Sequence, residues 1–222
     1  MSDETQRQGR EQHAKKKQAQ KILRILKRVY PDADCALHHK NPFELLVATM
    51  LSAQSTDKQI NKLTPALFAR FPDARSMSKA SLPELEKLVY SSGFYKNKAK
   101  NLLAMSKRLC EAYDCQVPDR MEDLLSLPGV ARKTANVVLG NAFHKAVGIV
   151  VDTHVGRIAR RFGWTREKDP VKVEKDLMAL IPKSKWIWIS HALIHLGRGP
   201  CQARKPHCME CPLEKVCPKI LD

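Results

Sequence analysis

The sequence lacks any apolar run approaching the ~20 residues that a helix needs to span a bilayer, and its polar start lacks the apolar core of a signal peptide. Strand signals are also scarce, because the longest β-branched run, residues 147–151, has no second run to pair with. There is no low-complexity linker and no repeat with a period of roughly 20–50 residues. We therefore expect neither a membrane protein nor a secreted one, and neither a sheet nor a repeat architecture.

Acidic residues are few relative to basic ones, with 23 Asp and Glu against 39 Lys and Arg, which gives a net charge of +16. Hydrophobic residues make up 43% of the 222, which is enough for a folded core. Since phosphates release counterions when they meet Lys and Arg, this charge predicts a polyanionic partner. Residues 1–28 carry nine basic and three acidic residues, and we expect the first part of this segment to be disordered.

Seven cysteines are an odd number for a disulfide framework, and four of them fall within the last 22 residues. This clustering predicts a metal site in a reducing, intracellular protein. Zinc and a [4Fe–4S] cluster both accept four thiolates, and the x6, x2, x5 spacing has one Cys-x2-Cys pair where a zinc ribbon has two, which favours the cluster. The loop between the first two cysteines is basic and suits a phosphate contact. The four ligands are Cys201, Cys208, Cys211 and Cys217, while Cys35, Cys110 and Cys115 are scattered.

Apolar residues repeat at helical spacing along most of the chain, which predicts an all-α protein. Asn41 is a candidate N-cap, with Glu44 completing a capping-box pattern. The helix that follows is apolar almost all round, which indicates a central core helix. The predicted helices span about 20–30, 43–52, 55–71, 81–93, 97–113, 119–125, 131–143, 152–162, 170–181 and 184–196.

Residues 124–135 (LLSLPGVARKTA) read as helix, tight Pro128-Gly129 turn, helix. Such a turn leaves amides around Gly129 and Ala131 unpaired at a helix start, and these amides bind a phosphate without reading a base. An ordinary helical turn is the alternative, but the full string and the charge of the chain favour phosphate binding.

Two residues after this turn are candidates for catalysis. The positive end of the helix and the neighbouring Arg132 both disfavour the ammonium form of Lys133. A neutral amine is what attack on a sugar carbon requires, although a solvated lysine that touches phosphate is the alternative. Asp152 stands where an apolar stretch meets a helix. It is either a plain N-cap, or a carboxylate held in a cleft opposite Lys133, or both.

Two further patterns are better explained by packing. His191 and His195 are four residues apart on a helix, but the glutamate of a metalloprotease motif is missing between them. Trp186 and Trp188 could stack on bases, yet their apolar helix favours core packing.

These elements, in this order, resemble the endonuclease III family of DNA glycosylases. The resemblance covers about residues 41–217. It rests on 127–135 (LPGVARKTA), on 151–154 (VDTH), on the cysteine spacing and on a further block at 51–57 (LSAQSTD).

The resemblance implies two helical domains that flank a DNA-binding cleft. Residues 36–147 would form a six-helix domain with the helix-hairpin-helix. Residues 1–35 and 148–222 would form the second domain, in which the four clustered cysteines hold a structural [4Fe–4S] cluster. The chain would be a cytoplasmic, nucleoid-associated monomer of a prokaryote.

The resemblance also implies a bifunctional glycosylase and abasic-site lyase that acts on double-stranded DNA containing damaged pyrimidines or abasic sites. Lys133 would attack C1′ of the flipped nucleotide, the base would leave, and β-elimination from the Schiff base would cut the strand 3′ to the lesion. Asp152 would stabilise the positive charge that develops on the sugar. Gln54 would fill the vacated gap and Phe94 would enter the opposite strand as a wedge. The residues implied in DNA binding are Gln54, Phe94, Pro128, Gly129, Val130, Ala131, Arg132, Arg204 and Lys205.

Other activities stay open at this point. Monofunctional relatives that remove adenine lack the nucleophilic lysine and carry a glutamate where this chain has Ala48, and a second neighbour acts on mismatched thymine. A non-catalytic DNA-binding or redox-sensing module would use the hairpin and the cluster alone. One departure from the family is Ala131, where glycine is common. We expect it to be the first helical residue, where alanine causes no strain.

Overall fold

The computed structural model describes residues 3–221, with side chains from residue 9 onward. This part of the chain contains no strand, which confirms the all-α prediction. Three short 3-10 turns cover Tyr90–Ser92, Lys183–Lys185 and Cys208–Glu210. The α-helices are α1 (Asp3–Val29), α2 (Pro42–Leu51), α3 (Asp57–Arg70), α4 (Ala74–Ser78), α5 (Leu82–Val89), α6 (Tyr95–Ala112), α7 (Met121–Leu125), α8 (Arg132–Phe143), α9 (Thr153–Arg161), α10 (Pro170–Leu180) and α11 (Trp186–Arg198).

The helices group into two compact units. The central unit runs from Cys35 to Val147 and contains α2 to α8, and the terminal unit combines the chain up to Asp34 with the chain from Gly148 onward. All six helices predicted in the central unit are present. The additional helix, α4, has five residues and a capping box between Asp73 and Ser76, and it is too short for apolar periodicity to reveal it.

The core of the central unit is built around α2, in which every residue after Pro42 is buried. Asn41 caps this helix as predicted, because its Oδ1 accepts from the N–H of Glu44 at 2.9 Å. The Glu44 carboxylate reaches one residue further back than a capping box requires and accepts from the N–H of Lys40 at 2.8 Å. These two bonds fix the entry of the chain into the core helix.

The terminal unit packs α1 against α9, α10 and α11. Ile22 and Leu26 of α1 are fully buried with Trp164, whose indole Nε1 donates to Gln18 at 3.1 Å. The indoles of Trp186 and Trp188 donate to the carbonyls of Ile181 and Tyr30, at 2.8 and 2.9 Å, and both rings pack on this core. The packing interpretation of the two tryptophans is therefore confirmed.

Helix α1 corrects one expectation. It begins at Asp3, so the basic segment is helical over the described residues and not disordered. Its second half is anchored in the core by Ala19, Ile22, Leu23 and Leu26, and no proline interrupts the segment before it. Residues 1 and 2 lie outside the described residues.

The scattered cysteines hold a second correction. Cys110 and Cys115 form a disulfide at the C-terminal end of α6, which differs from the reduced thiols expected of an intracellular protein. Asp114 and Cys115 both adopt left-handed backbone conformations, which turn the chain back towards the helix end.

No helix among the described residues is both long and apolar enough to cross a bilayer.

The turn between α7 and α8 fixes the position of the predicted site. Gly129 has φ +76°, and a Cβ at this position would lie 3.0 Å from the Asn101 side chain in α6. Val130 buries its side chain and donates its N–H to the Leu127 carbonyl at 3.1 Å, which closes the turn. Both the positive φ and the close approach of α6 therefore require glycine at position 129.

Ala131 follows this turn as the N-cap of α8, with φ −94° and ψ 166°. It lies one position before the first helical residue, so the expectation of a helical alanine is off by one. Its negative φ is one that any residue adopts. The substitution of glycine by alanine that marks this chain is therefore free of strain.

We expect Gly129→Ala to lower the free energy of unfolding by about 1–3 kcal/mol, because alanine is strained at this φ and contacts Asn101. Ala131→Gly is the matched control, and it should leave stability unchanged or slightly higher, since glycine is the better N-cap. Urea unfolding of both variants measures the difference. Equal losses in the two variants would contradict this account of the turn.

Candidate functional site

No side chain caps the N-terminus of α8. In the central unit, Asn41, Thr56 and Ser81 each accept a hydrogen bond from the first turn of α2, α3 and α5, whereas α6 and α7, like α8, begin without a side-chain cap. The amides at a helix start carry partial positive charge and suit an anion. The hairpin thus directs an uncapped, positive helix end outward.

Lys133 lies in the first turn of α8 and is exposed. Arg132, its neighbour, is the first helical residue and is partly buried. An exposed primary amine beside a bare helix N-terminus can meet a phosphate and a sugar carbon of the same nucleic acid strand. The predicted neutral form of this amine stays a prediction.

Asp152 is the N-cap of α9, where its Oδ1 accepts from the N–H of Val155 at 2.8 Å. This confirms the N-cap interpretation. The carboxylate is half-buried and has a second oxygen that the cap does not use. Asp152 belongs to the terminal unit and Lys133 to the central unit.

The structure brings Gln54, Phe94 and Gly129 together around one cavity of about 240 Å³ in the central unit. Gln54 and Phe94 are both exposed, and 66% of Phe94 is open to solvent, which is unusual for a large aromatic ring. Both have left-handed backbones, with φ +54° and +49°. Non-glycine residues in this region are strained and are typical of functional loops.

Sequence reasoning missed the side of this cavity that α6 lines with Asn97, Lys98 and Asn101. Asn97 and Asn101 are four residues apart and so share one face of the helix. The one available signal was this spacing directly after the Gly93-Phe94 turn.

The four clustered cysteines line one apolar pocket of the terminal unit, and all four are free and half-buried. Burial raises the pKa of the Cys211 and Cys217 thiols, and the neighbouring thiols of the set raise it further. Among the described residues, no three His, Cys, Asp or Glu side chains are grouped tightly enough to hold a metal ion. The four thiols thus surround one space without closing on a single-ion centre.

Arg161 organises the loop between Cys201 and Cys208. Its guanidinium donates to the sulfur of Cys201 at 3.4 Å and to the carbonyls of Gln202 and Ala203 at 2.7 and 2.9 Å. The backbone N–H of Lys219 likewise donates to the sulfur of Cys217 at 3.4 Å. Arg204 and Lys205, at the tip of this loop, are exposed.

The two histidines considered as a metal pair have other surroundings. His191 is buried, and the ring of His195 stacks on Tyr30 with centroids 5.8 Å apart.

Residues 47–183 match the family described as HhH-GPD superfamily base excision DNA repair protein. Endonuclease III of Synechocystis sp. is 51% identical over 209 residues, which cover 94% of this chain and 95% of that protein. Endonuclease III of Bacillus subtilis is 46% identical over 190 residues, which cover 85% of this chain and 86% of the relative.

One solved structure is a trapped covalent intermediate of endonuclease III with DNA. It is 42% identical, covers 92% of this chain and 96% of its own, and superposes with a TM-score of 0.87. The chain therefore belongs to the endonuclease III family, within the HhH-GPD superfamily of base excision DNA repair proteins.

Proposed function

We propose that Lys133 is the nucleophile with which this chain removes oxidised pyrimidines from duplex DNA and then cleaves the strand. The chain is a base excision repair glycosylase and abasic-site lyase, and the comparisons give no support to the adenine, thymine or non-catalytic alternatives over this activity. The observation that carries the role of Lys133 is its exposed amine in the first turn of the uncapped helix α8.

In this mechanism the Lys133 amine attacks C1′ of the damaged nucleotide and the glycosidic bond breaks, so the base leaves with its bonding electrons. Loss of a proton from nitrogen and opening of the sugar ring give a Schiff base between Lys133 and C1′. The Schiff base acidifies the C2′ proton. Removal of the C2′ proton expels the 3′ phosphate by β-elimination. Hydrolysis of the Schiff base then releases the Lys133 amine.

Asp152 supplies a fixed negative charge to this reaction. Its bond to the N–H of Val155 keeps the carboxylate in one orientation. The positive charge that develops on the sugar is then stabilised by a group that needs no reorganisation at the moment of reaction. The cap and the catalytic role are compatible because the carboxylate has two oxygens.

The hairpin grips DNA through its backbone. The α8 N-terminus, together with Pro128, Gly129, Ala131 and Arg132, would bind a phosphate without reading sequence. The amide of Val130 is already used inside the turn, so this residue contributes through the shape of the hairpin.

Gln54 and Phe94 act inside the duplex. Gln54 fills the gap that the flipped nucleotide leaves, and Phe94 enters the opposite strand as an apolar wedge. Their exposure beside one cavity supports both roles. Arg204 and Lys205, on the exposed loop between two cysteines, add a second phosphate contact.

We propose that the four thiols hold a [4Fe–4S] cluster. The cysteine spacing has one Cys-x2-Cys pair where a zinc ribbon has two, and the four cysteines line one pocket. The apolar pocket and the hydrogen bonds to the sulfurs of Cys201 and Cys217 are typical surroundings of such a cluster. When bound, the cluster would supply structural cross-linking of the C-terminal loop.

We further propose that the protein works as a monomer in the cytoplasm, at the nucleoid. Its bacterial relatives and its net charge of +16 support a location at DNA.

Lys133→Ala should abolish covalent trapping of the protein on thymine-glycol DNA by borohydride, because no Schiff base forms without the amine. Lys107→Ala removes an exposed lysine from the body of α6 and serves as the charge-matched control, which should trap normally. Gel electrophoresis measures the trapped complex. Trapping that survives in Lys133→Ala would reject this nucleophile.

Asp152→Asn separates capping from charge, since asparagine caps a helix as well as aspartate does. We expect an unchanged melting temperature and a rate of base release lowered on the order of 10²-fold, the scale of losing one fixed electrostatic contact in a transition state. Single-turnover kinetics measure the rate. A normal rate would leave Asp152 with its capping role alone.

Iron and acid-labile sulfide should be present at about four each per chain, as a [4Fe–4S] cluster requires. Cys211→Ala should lose most of this iron and unfold more readily, while Cys35→Ala, at a cysteine outside the set, should retain it. Metal analysis of the purified protein tests this. Stoichiometric zinc without sulfide would refute the cluster.

A further inference from the structure

Lys98 is a lysine buried inside the central unit, with only 8% of its surface exposed. It lies in the first turns of α6 and borders the cavity shared by Gln54 and Phe94. Its ammonium donates to the carbonyl of Leu51 at 2.8 Å and to the carbonyl of Ser92 at 2.6 Å. A buried ammonium is costly unless it is hydrogen-bonded, and here two backbone oxygens accept two of its three N–H donors.

These two carbonyls are not ordinary loop oxygens. Leu51 is the last residue of α2, and Ser92 is the last residue of the 3-10 turn at Tyr90–Ser92. Carbonyls at helix ends have no partner within their helix and carry partial negative charge. Burial lowers the pKa of Lys98, and the two helix ends that face it favour the charged form in return.

Each carbonyl begins a segment that carries a DNA-inserting side chain. Gln54 follows Leu51 by three residues, and Phe94 follows Ser92 by two. Both residues are left-handed, so each segment holds a strained conformation. One ammonium therefore joins the two segments at the points where they leave their helices.

We propose that Lys98 is a positioning residue that clamps the two segments, so that Gln54 and Phe94 enter the duplex together when a nucleotide is flipped. This inference rests on the roles proposed above for Gln54 and Phe94. Lys98 itself touches neither substrate nor reacting atoms. Its effect passes through the spacing and rigidity of two loops.

The clamp has a specific kinetic consequence. Opening a fully paired duplex requires both insertions, and the unpairing cost falls when the neighbouring bases are already mismatched. Loss of the clamp should therefore slow base release from paired DNA much more than from DNA whose strands are already apart. A residue needed only for folding would slow both reactions equally.

The test compares Lys98→Met, which retains the length of the side chain and removes the donors, with Lys107→Met on the exposed face of α6. Single-turnover base release is measured on thymine glycol paired with adenine in a matched duplex, and on the same lesion inside a short mismatched bubble. We expect Lys98→Met to lower the rate of base release at least about 10-fold on the matched duplex, which is the scale of a lost supporting contact. On the bubble, the rate should fall about twofold or less. Lys107→Met should match the unmodified protein on both.

Coupling to the wedge supplies a second readout. Phe94→Ala should show the same dependence on substrate. The double variant Lys98→Met/Phe94→Ala should be slowed on the matched duplex by less than the product of the two single effects, because the clamp acts in part through the wedge that it positions. Additive losses would overturn the proposal.

The results on the two substrates also separate a failure of the clamp from a failure of the proposed function. Equal slowing on both substrates, or a normal rate on the matched duplex, would overturn the clamp while leaving the proposed function intact. An unmodified protein that releases no thymine glycol from either substrate would reject the proposed function itself, and the clamp with it. If Lys98→Met does not fold, the same comparison is made with Lys98→Gln, whose amide can still donate to one of the two carbonyls.

Discussion

The close contact between the hairpin turn and α6 fixes the positions of the other parts of the candidate site. Gly129 lies against Asn101 with no room for a side chain, and its positive φ reverses the chain between α7 and α8. This contact decides where α8 begins and therefore where Lys133 lies. The same face of α6 borders the cavity that holds Gln54 and Phe94. A single helix thus supports the helix start that would hold a phosphate and the loops that would enter the duplex.

Most of the helices and their caps could be predicted from the sequence because their signals are local. The cap at Asn41, the glycine at position 129 and the apolar periodicity all depend on neighbours within a few residues, which the sequence displays directly. For the same reason the N-cap role of Asp152 was visible beforehand. The catalytic candidates came from the order of motifs, because a lysine after a hairpin is chemically unremarkable among 39 basic residues.

Features that depend on distant partners, or on backbone conformations that no nearby residue type signals, could not be predicted. Nothing near Lys98 in the sequence indicates that it meets a carbonyl 47 residues away. The pairing of Cys110 with Cys115 depends on two left-handed residues at a helix end, and neither residue is glycine. Helix α1 begins at Asp3, and its polar first turns lack the apolar periodicity that predicted its buried end.

The two halves of the protein divide the physical tasks. The central unit presents a positive helix end, strained loops and a buried ammonium. Together these features suit the binding of a DNA duplex whose base pairs must be opened. In the terminal unit, a carboxylate is fixed by a cap, and Arg161 holds the start of the loop that follows Cys201. Polar groups within each unit are oriented by backbone bonds, which agrees with a chemistry that depends on preorganised charge.

Mapping the borohydride-reduced DNA adduct by proteolysis and mass spectrometry is the most direct test of the central claim. We predict that the mass of the trapped sugar falls on the peptide that contains Lys133 and on no other. An adduct at another amine, such as Lys98, would contradict the account, because the hairpin would then present its helix to the phosphate without supplying the nucleophile.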